Sequence, residues 1–154
     1  MKHALWIATL LAAGSLTAHH ALTNYDTTTA VRVKGTILAF AGINPHTMLF
    51  IEGAGPDGQT RRWAVEGPAM LQLQRRNFKT DALKPGAPVE VCGYLPKEPI
   101  VWQLATKEQG AISQSGRLLN GEMMIFPDGT QQTWGDYGVH KCFAPGFTDQ
   151  HVSK

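Results

Sequence analysis

The side chains best suited to chemistry in this chain are histidines. Five of the six, His19, His20, His46, His140 and His151, lie beyond the apolar start of the sequence. His19 and His20 are adjacent in "LTAHHALTNY". If the chain is cut between Ala18 and His19, His19 gains a free α-amine beside its ring nitrogen. Those two donors close a small chelate ring, and the α-amine, with a pKa of about 7.7–8.0, gives up its proton cheaply. One further imidazole would complete a three-nitrogen, T-shaped site. Nitrogen donors in a planar arrangement favour Cu(II), which also heads the divalent affinity order. His46 is the expected third donor, because proline fixes the backbone just before it in Asn44-Pro45-His46. His20 is the accessory donor, which makes copper the expected cofactor. His140 stands two residues before Cys142, a weaker ligand pair, and His151 lies in a polar tail. A plainer role is open for the same residues: Asn44 can hold the turn through its side chain, His46 can hydrogen-bond at a strand start, and His19-His20 can serve as a polar leader.

Catalytic patterns are missing. The chain has no G-x-S-x-G elbow, no H-E-x-x-H, no Gly-rich phosphate loop and no dinucleotide fingerprint. Glu52, Glu66 and Glu90 alternate with apolar neighbours and read as solvated faces of strands, with no spacing that favours a carboxylate pair. A non-enzymatic protein is expected. The aromatic residues offer a competing function. Trp63, Tyr94, Trp102, Trp134 and Phe143 could line a barrel face and stack on a sugar or other small ligand. Trp63 alternates with Val65 and reads as core, which leaves Trp102 and Trp134 as the ligand-binding candidates. In that case the partner is a small ligand or another envelope protein.

Positioning those residues requires a mature chain and a fold. Met1-Lys2-His3 followed by an apolar run over 4–13 and then Gly14-Ser15 has the parts of a secretory signal, too short to span a bilayer. Cleavage after Ala18 is expected; cleavage after Ser15 fits the small-residue rule but leaves almost no spacer. "LAAGS" resembles a lipoprotein box, yet Ser15 stands where a lipid-bearing cysteine is needed. An exported protein in the periplasm follows. Losing 18 of the 154 residues and their single lysine lowers the formal charge by one from +2. A nearly neutral chain with scattered charges argues against a nucleic-acid surface. The two cysteines, Cys92 and Cys142, read in an oxidising compartment as one disulfide, with free thiols as the alternative.

The elements follow from periodicity. Residues 29–41 (TAVRVKGTILAFA) alternate and change exposure around Gly35, as a barrel strand bent at a bulge would. Residues 47–52 and 60–66 flank a Gly-Pro-Asp-Gly turn and predict a hairpin. Residues 68–77 (PAMLQLQRRN) predict a helix with proline in its first turn. Residues 89–94 form another strand, and 123–126 with 130–134 a last hairpin around Pro127-Asp128-Gly129. A mainly β protein results: a small OB-like antiparallel β-barrel with one helix between the third and fourth strands. An immunoglobulin-like sandwich is the runner-up, weakened by that helix. Signal peptide 1–18, leader 19–28, barrel 29–136 and tail 137–154 complete the organisation. Within the barrel, 97–120 stands out, and "GAISQSGRLLNG" reads as an exposed loop.

Four segments in this order, "NPH" at 44–46, "RRWAVEG" at 61–67, "LKPGAPVEVCGY" at 83–94 and "FPDGT" at 126–130, together with the "AHH" junction, resemble a family of small exported bacterial proteins. That family is known only as a domain of unknown function. The resemblance covers residues 18–94 and the PDG hairpin and implies a fold and a compartment. It implies no activity. The chain departs from the family pattern in its two cysteines and in 97–120, which stands as an insertion.

Overall fold

The computed structural model describes residues 22–106, 112–135 and 141–142. Its strands are β1 (Val31–Ala41), β2 (Met48–Ala54), β3 (Thr60–Glu66), β4 (Pro88–Tyr94), β5 (Val101–Thr106), β6 (Ile112–Ile125) and β7 (Gln131–Thr133). One helix, α1 (Met70–Arg75), lies between β3 and β4. β1 pairs antiparallel with β2 and β4, and β2 pairs with β3. The ring closes through β6, which runs parallel to β3 and antiparallel to β4. Strands β1, β2, β3, β6 and β4 therefore form a closed OB-like barrel, and closure leaves these five without an open edge. β5 and β7 flank β6 from outside the ring.

Alternation explains the inner core. Val33, Ile37, Leu49, Ile51, Trp63, Val65, Val91, Leu119 and Met124 come together inside the barrel. Leu73 of α1, with Phe78 and Leu83 after it, adds to the same cluster. β1 bends as expected, but the bulge falls between Ile37 and Ala39 rather than at Gly35. There the strand's partners change: Ile37 exchanges backbone bonds with Gly86 (2.8 Å) and Ala87 (2.9 Å) of the LKPG turn. Gly35 does a different job. It faces Gly53 across the β1–β2 ladder, where an added Cβ would lie 2.2 Å from the Glu52 carbonyl oxygen. The strands approach too closely there for any side chain.

The helix is shorter than its sequence pattern. Pro68 lies outside it because its carbonyl accepts from the Thr47 amide (3.0 Å) and Oγ1 (2.8 Å). The largest correction concerns residues 97–120. They hold β5 and most of β6, not an exposed loop. "RLLN" at 117–120 pairs with Trp63 through Glu66, so this stretch supplies the strand that shuts the barrel. The disulfide reading is the correct one: Cys92 and Cys142 are bonded, with Cα atoms 5.7 Å apart. That bond ties residues 141–142 to β4.

Candidate functional site

A second buried cluster covers the outside of the barrel, where alternation alone would place solvent. Met48, Phe50, Ala64 and Leu118 face outward, opposite the inner core, yet all are buried with Tyr25 and Tyr94. The cover comes partly from the segment ahead of β1. Asn24 and Asp26 exchange backbone bonds with Lys97 (2.9 Å) and Leu95 (2.9 Å), and Tyr25 bridges Pro96. This pins the segment against the exit of β4 and turns Tyr25 inward, to 4% exposure.

The polar members of this layer meet at Glu66, the last residue of β3. Its side chain leaves the barrel on the face opposite Trp63 and Val65, yet it is only 5% exposed. The expectation of a solvated Glu66 is therefore corrected: it faces outward, but Tyr25 covers it. Glu52 is exposed, and Glu90 binds Arg32 at 2.7 Å. A buried carboxylate is costly unless its oxygens are hydrogen-bonded. The Tyr25 hydroxyl donates to Glu66 Oε2 at 2.7 Å. His46 Nδ1 lies 3.2 Å from Glu66 Oε1 and 3.3 Å from the Gly67 carbonyl oxygen. Both neighbours of Nδ1 are acceptors, so Nδ1 carries a proton. Burial, then the Glu66 charge and hydrogen bond, hold the Tyr25 hydroxyl well above the ordinary tyrosine range, so it remains a donor.

Local sequence accounts for the placement. The peptide Asn44–Pro45 is cis, and the turn is stitched to the end of β3 by Thr47–Pro68 and Gly67–Thr47 bonds. Gly67 must be small because a Cβ there would meet Trp134 Cε2 at 2.2 Å. Trp134 in turn donates from Nε1 to the Glu66 carbonyl oxygen at 3.0 Å. Beside Glu66 in register lies Asn120, itself paired with Tyr94. Asn120 Nδ2 donates to Glu122 Oε1 at 3.4 Å, and Glu122 is fully buried. Burial foremost, and the Glu122 charge next, raise the Tyr94 hydroxyl above its usual range.

Residues 8–100, more than half of the chain, match the family of unknown function DUF6152. The chain belongs to that family. Comparison with curated proteins yields no match. Among solved structures, the crystal structure of the mitochondrial single-stranded DNA binding protein Rim1 from S. cerevisiae is similar at 17% identity and a TM-score of 0.39. The likeness covers 70% of this chain and 97% of that one. At that level it carries nothing about what this chain binds.

In this DUF6152 protein the expected site residues fare unequally. His46 stands in the predicted turn, held as described, with its side chain 37% exposed. His19, His20, His140 and His151 lie outside the described residues, as does Phe143. Among the described residues, no group of three or more histidine, cysteine, aspartate or glutamate side chains could hold a metal ion. Trp134 is corrected from ligand-binding candidate to core: it is fully buried, with Phe40 and Phe78 packed edge-on at 6.1 and 5.2 Å. Trp102 is half-buried against the outer cluster. Sequence reasoning missed Tyr25, Asn120 and Glu122, and misread Glu66. One signal was available: Glu66 directly precedes the Gly67-Pro68 break, a position where a strand side chain can turn toward a neighbouring loop.

Proposed function

We propose that this protein is an exported, non-enzymatic binding protein that takes copper through His19, His46 and His20. The observation that carries the proposal is the clamp on His46. A carboxylate and a carbonyl on Nδ1 fix the tautomer and orient the ring, the arrangement by which metal-ligating histidines are commonly held.

Chain reach supports the partnership with His19. Tyr25 and His46 share one carboxylate, and His19 precedes Tyr25 by six residues. A fully extended stretch of that length spans at most roughly 20 Å, and Leu22–Asn24 shorten it by forming a 3-10 turn. The Cys92–Cys142 bond is consistent with an oxidising compartment outside the cytoplasm. Among the described residues, no helix is long and apolar enough to cross a membrane.

The test is intact mass of the exported protein followed by Cu(II) titration of that species. A mature chain starting at His19 is expected, with His46→Ala weakening copper binding by more than roughly tenfold, since even outer partners of a ligand reach that scale. A mature chain that starts elsewhere overturns the amine chelate. Unchanged affinity in His46→Ala removes His46 from the site.

A further inference from the structure

We propose that Arg117 is the recognition residue of a separate binding site, for a short aliphatic carboxylate, at the end of the barrel where β6 parts from β3. The site uses none of the histidines and needs no metal.

Register places it. The β3–β6 pairing begins with Trp63 opposite Arg117. Ahead of that point, residues 112–116 of β6 pair with β5 alone among the described residues. The sheet therefore forks, with the first residues of β3 on one side and a two-stranded β5–β6 ribbon on the other. Gly116 stands at the fork. A Cβ there would lie 2.5 Å from the Trp63 carbonyl carbon and 2.7 Å from the Ala64 amide nitrogen, so β6 presses against β3. Arg117 follows directly, and its Cζ lies over the Trp63 ring, 5.8 Å from the centroid. That ring is a fixed floor: it is fully buried, and Nε1 donates to the Gly53 carbonyl oxygen at 3.0 Å.

Two guanidiniums meet on this indole, and their charges are in unlike states. Arg61 Cζ is 5.6 Å from the centroid, but its Nη2 donates to Asp57 Oδ2, and to Gln59 Oε1 at 3.0 Å. Its charge is balanced. Arg117 has the ring alone. Among the described residues no carboxylate or other acceptor meets its guanidinium, and its Nε is closed to water without a partner. A ring face attracts the cation but leaves its in-plane N–H groups unfilled. A buried N–H without an acceptor is rare in folded chains. The planar fork of an arginine is the shape a carboxylate matches with two parallel bonds.

Alternation supplies the rest of the site. Val101 and Gln103 of β5 stand opposite Arg117 and Ser115 of β6, so all four share one face of the ribbon. Ser115 and Gln103 offer polar groups. Val101, at 66% exposure, is the most exposed large apolar side chain among the described residues. These neighbours select the ligand. One unbalanced guanidinium matches one negative charge, whereas a dianion would also face the half-exposed Asp57 carboxylate across the indole. Val101, next to Arg117 in register, suits an aliphatic chain attached to the carboxylate.

The experiment titrates the full exported chain, without metal, with hexanoate, and follows the Nε–Hε signal of Arg117 by NMR. Hexanol and inorganic phosphate are run in parallel. Hexanoate should shift the Arg117 signal saturably, with hexanol and phosphate binding more weakly. Arg117→Gln should lower hexanoate affinity roughly tenfold or more, the scale of hydrogen bonds to a charged group. Arg117→Lys should keep part of the affinity, because the charge stays and the fork is lost. Val101→Ser should weaken hexanoate but leave acetate unchanged. Urea midpoints of the variants identify any that fail to fold, and the Lys variant then stands in for the Gln one. No saturable shift at Arg117 overturns the site. Wild-type hexanoate affinity in folded Arg117→Gln removes Arg117 from it. Equal binding of hexanol overturns recognition of the carboxylate, and equal binding of phosphate reduces the site to an unselective positive patch and overturns the ligand class.

Discussion

The inside and the outside of the barrel are equally dry at Trp63 and at Glu66, yet they are built on opposite terms. Inside, aliphatic side chains from five strands and α1 meet around Trp63 and Trp134, and the gain is removal of apolar surface from water. Outside, at the end of β3, a carboxylate lies under a tyrosine and beside a histidine, each group held by a named partner. The inner core tolerates no change of volume, since close-packed interiors have no slack. The outer cluster is sensitive to exchange of a single polar atom, because an orphaned buried polar group keeps its full desolvation cost. The first arrangement secures the fold. The second is where a specific chemical task can be housed, because its residues do little for stability that a leucine would not do better.

The largest effect expected from this contrast is at Trp134. Trp134→Ala should cost about 3–5 kcal/mol, the scale of emptying a large aromatic site in a core, read from urea unfolding. The loss should exceed that of any substitution in the outer cluster. A smaller cost would mean that the indole fills space rather than joining Gly67 and Glu66 to the core.

A second effect should separate the clusters by pH. Tyr25 and Tyr94 both have hydroxyls raised above the ordinary value near 10. Above about pH 10 the unfolded chain releases these protons more readily than the folded one, so stability should hold below that value and decline as pH rises through it. Tyr25→Phe should flatten part of that decline in urea midpoints measured between neutral and alkaline pH. An unaltered slope would mean the hydroxyl is not confined on Glu66.

The smallest effect should come from His46. Its side chain is one-third exposed, so His46→Ala should change unfolding free energy by no more than about 1 kcal/mol, as for partly exposed ion pairs. A cost approaching that of Trp134→Ala would erase the distinction, and His46 would belong to the scaffold.

Much of the scaffold is legible in the residues themselves. β1 to β4 alternate cleanly, the PDG turns mark both hairpins, and α1 announces itself through Met70, Leu73 and good helix formers. β6 is not legible because its neighbours change along its length. It meets β5 at Gln114 and Ser115, β3 at Leu118 and Leu119, and β4 at Met123 and Met124. No single period describes a strand whose environment is replaced every few residues, and glycines at 116 and 121 dilute the pattern further. Glu66 fails for a different reason. Alternation correctly points it out of the barrel, but "out" means solvent only if nothing lies there. Tyr25, 41 residues away in sequence, lies there. The candidate site is thus half readable: the NPH turn stands out locally, while the carboxylate beneath it depends on a long-range contact that no window of sequence contains.

The Cys92–Cys142 bond has a topological consequence. It closes a covalent ring through β5, β6 and β7, and β6 is the stave that shuts the barrel. A protease that nicks the backbone between Cys92 and Cys142 releases no fragment, because both cut ends stay attached through the sulfur bridge. A nick in the β1–β2 or β2–β3 connections has no such insurance and relies on strand pairing alone. The molecule is thus doubly secured in the half that closes it, and singly secured in the half that carries His46.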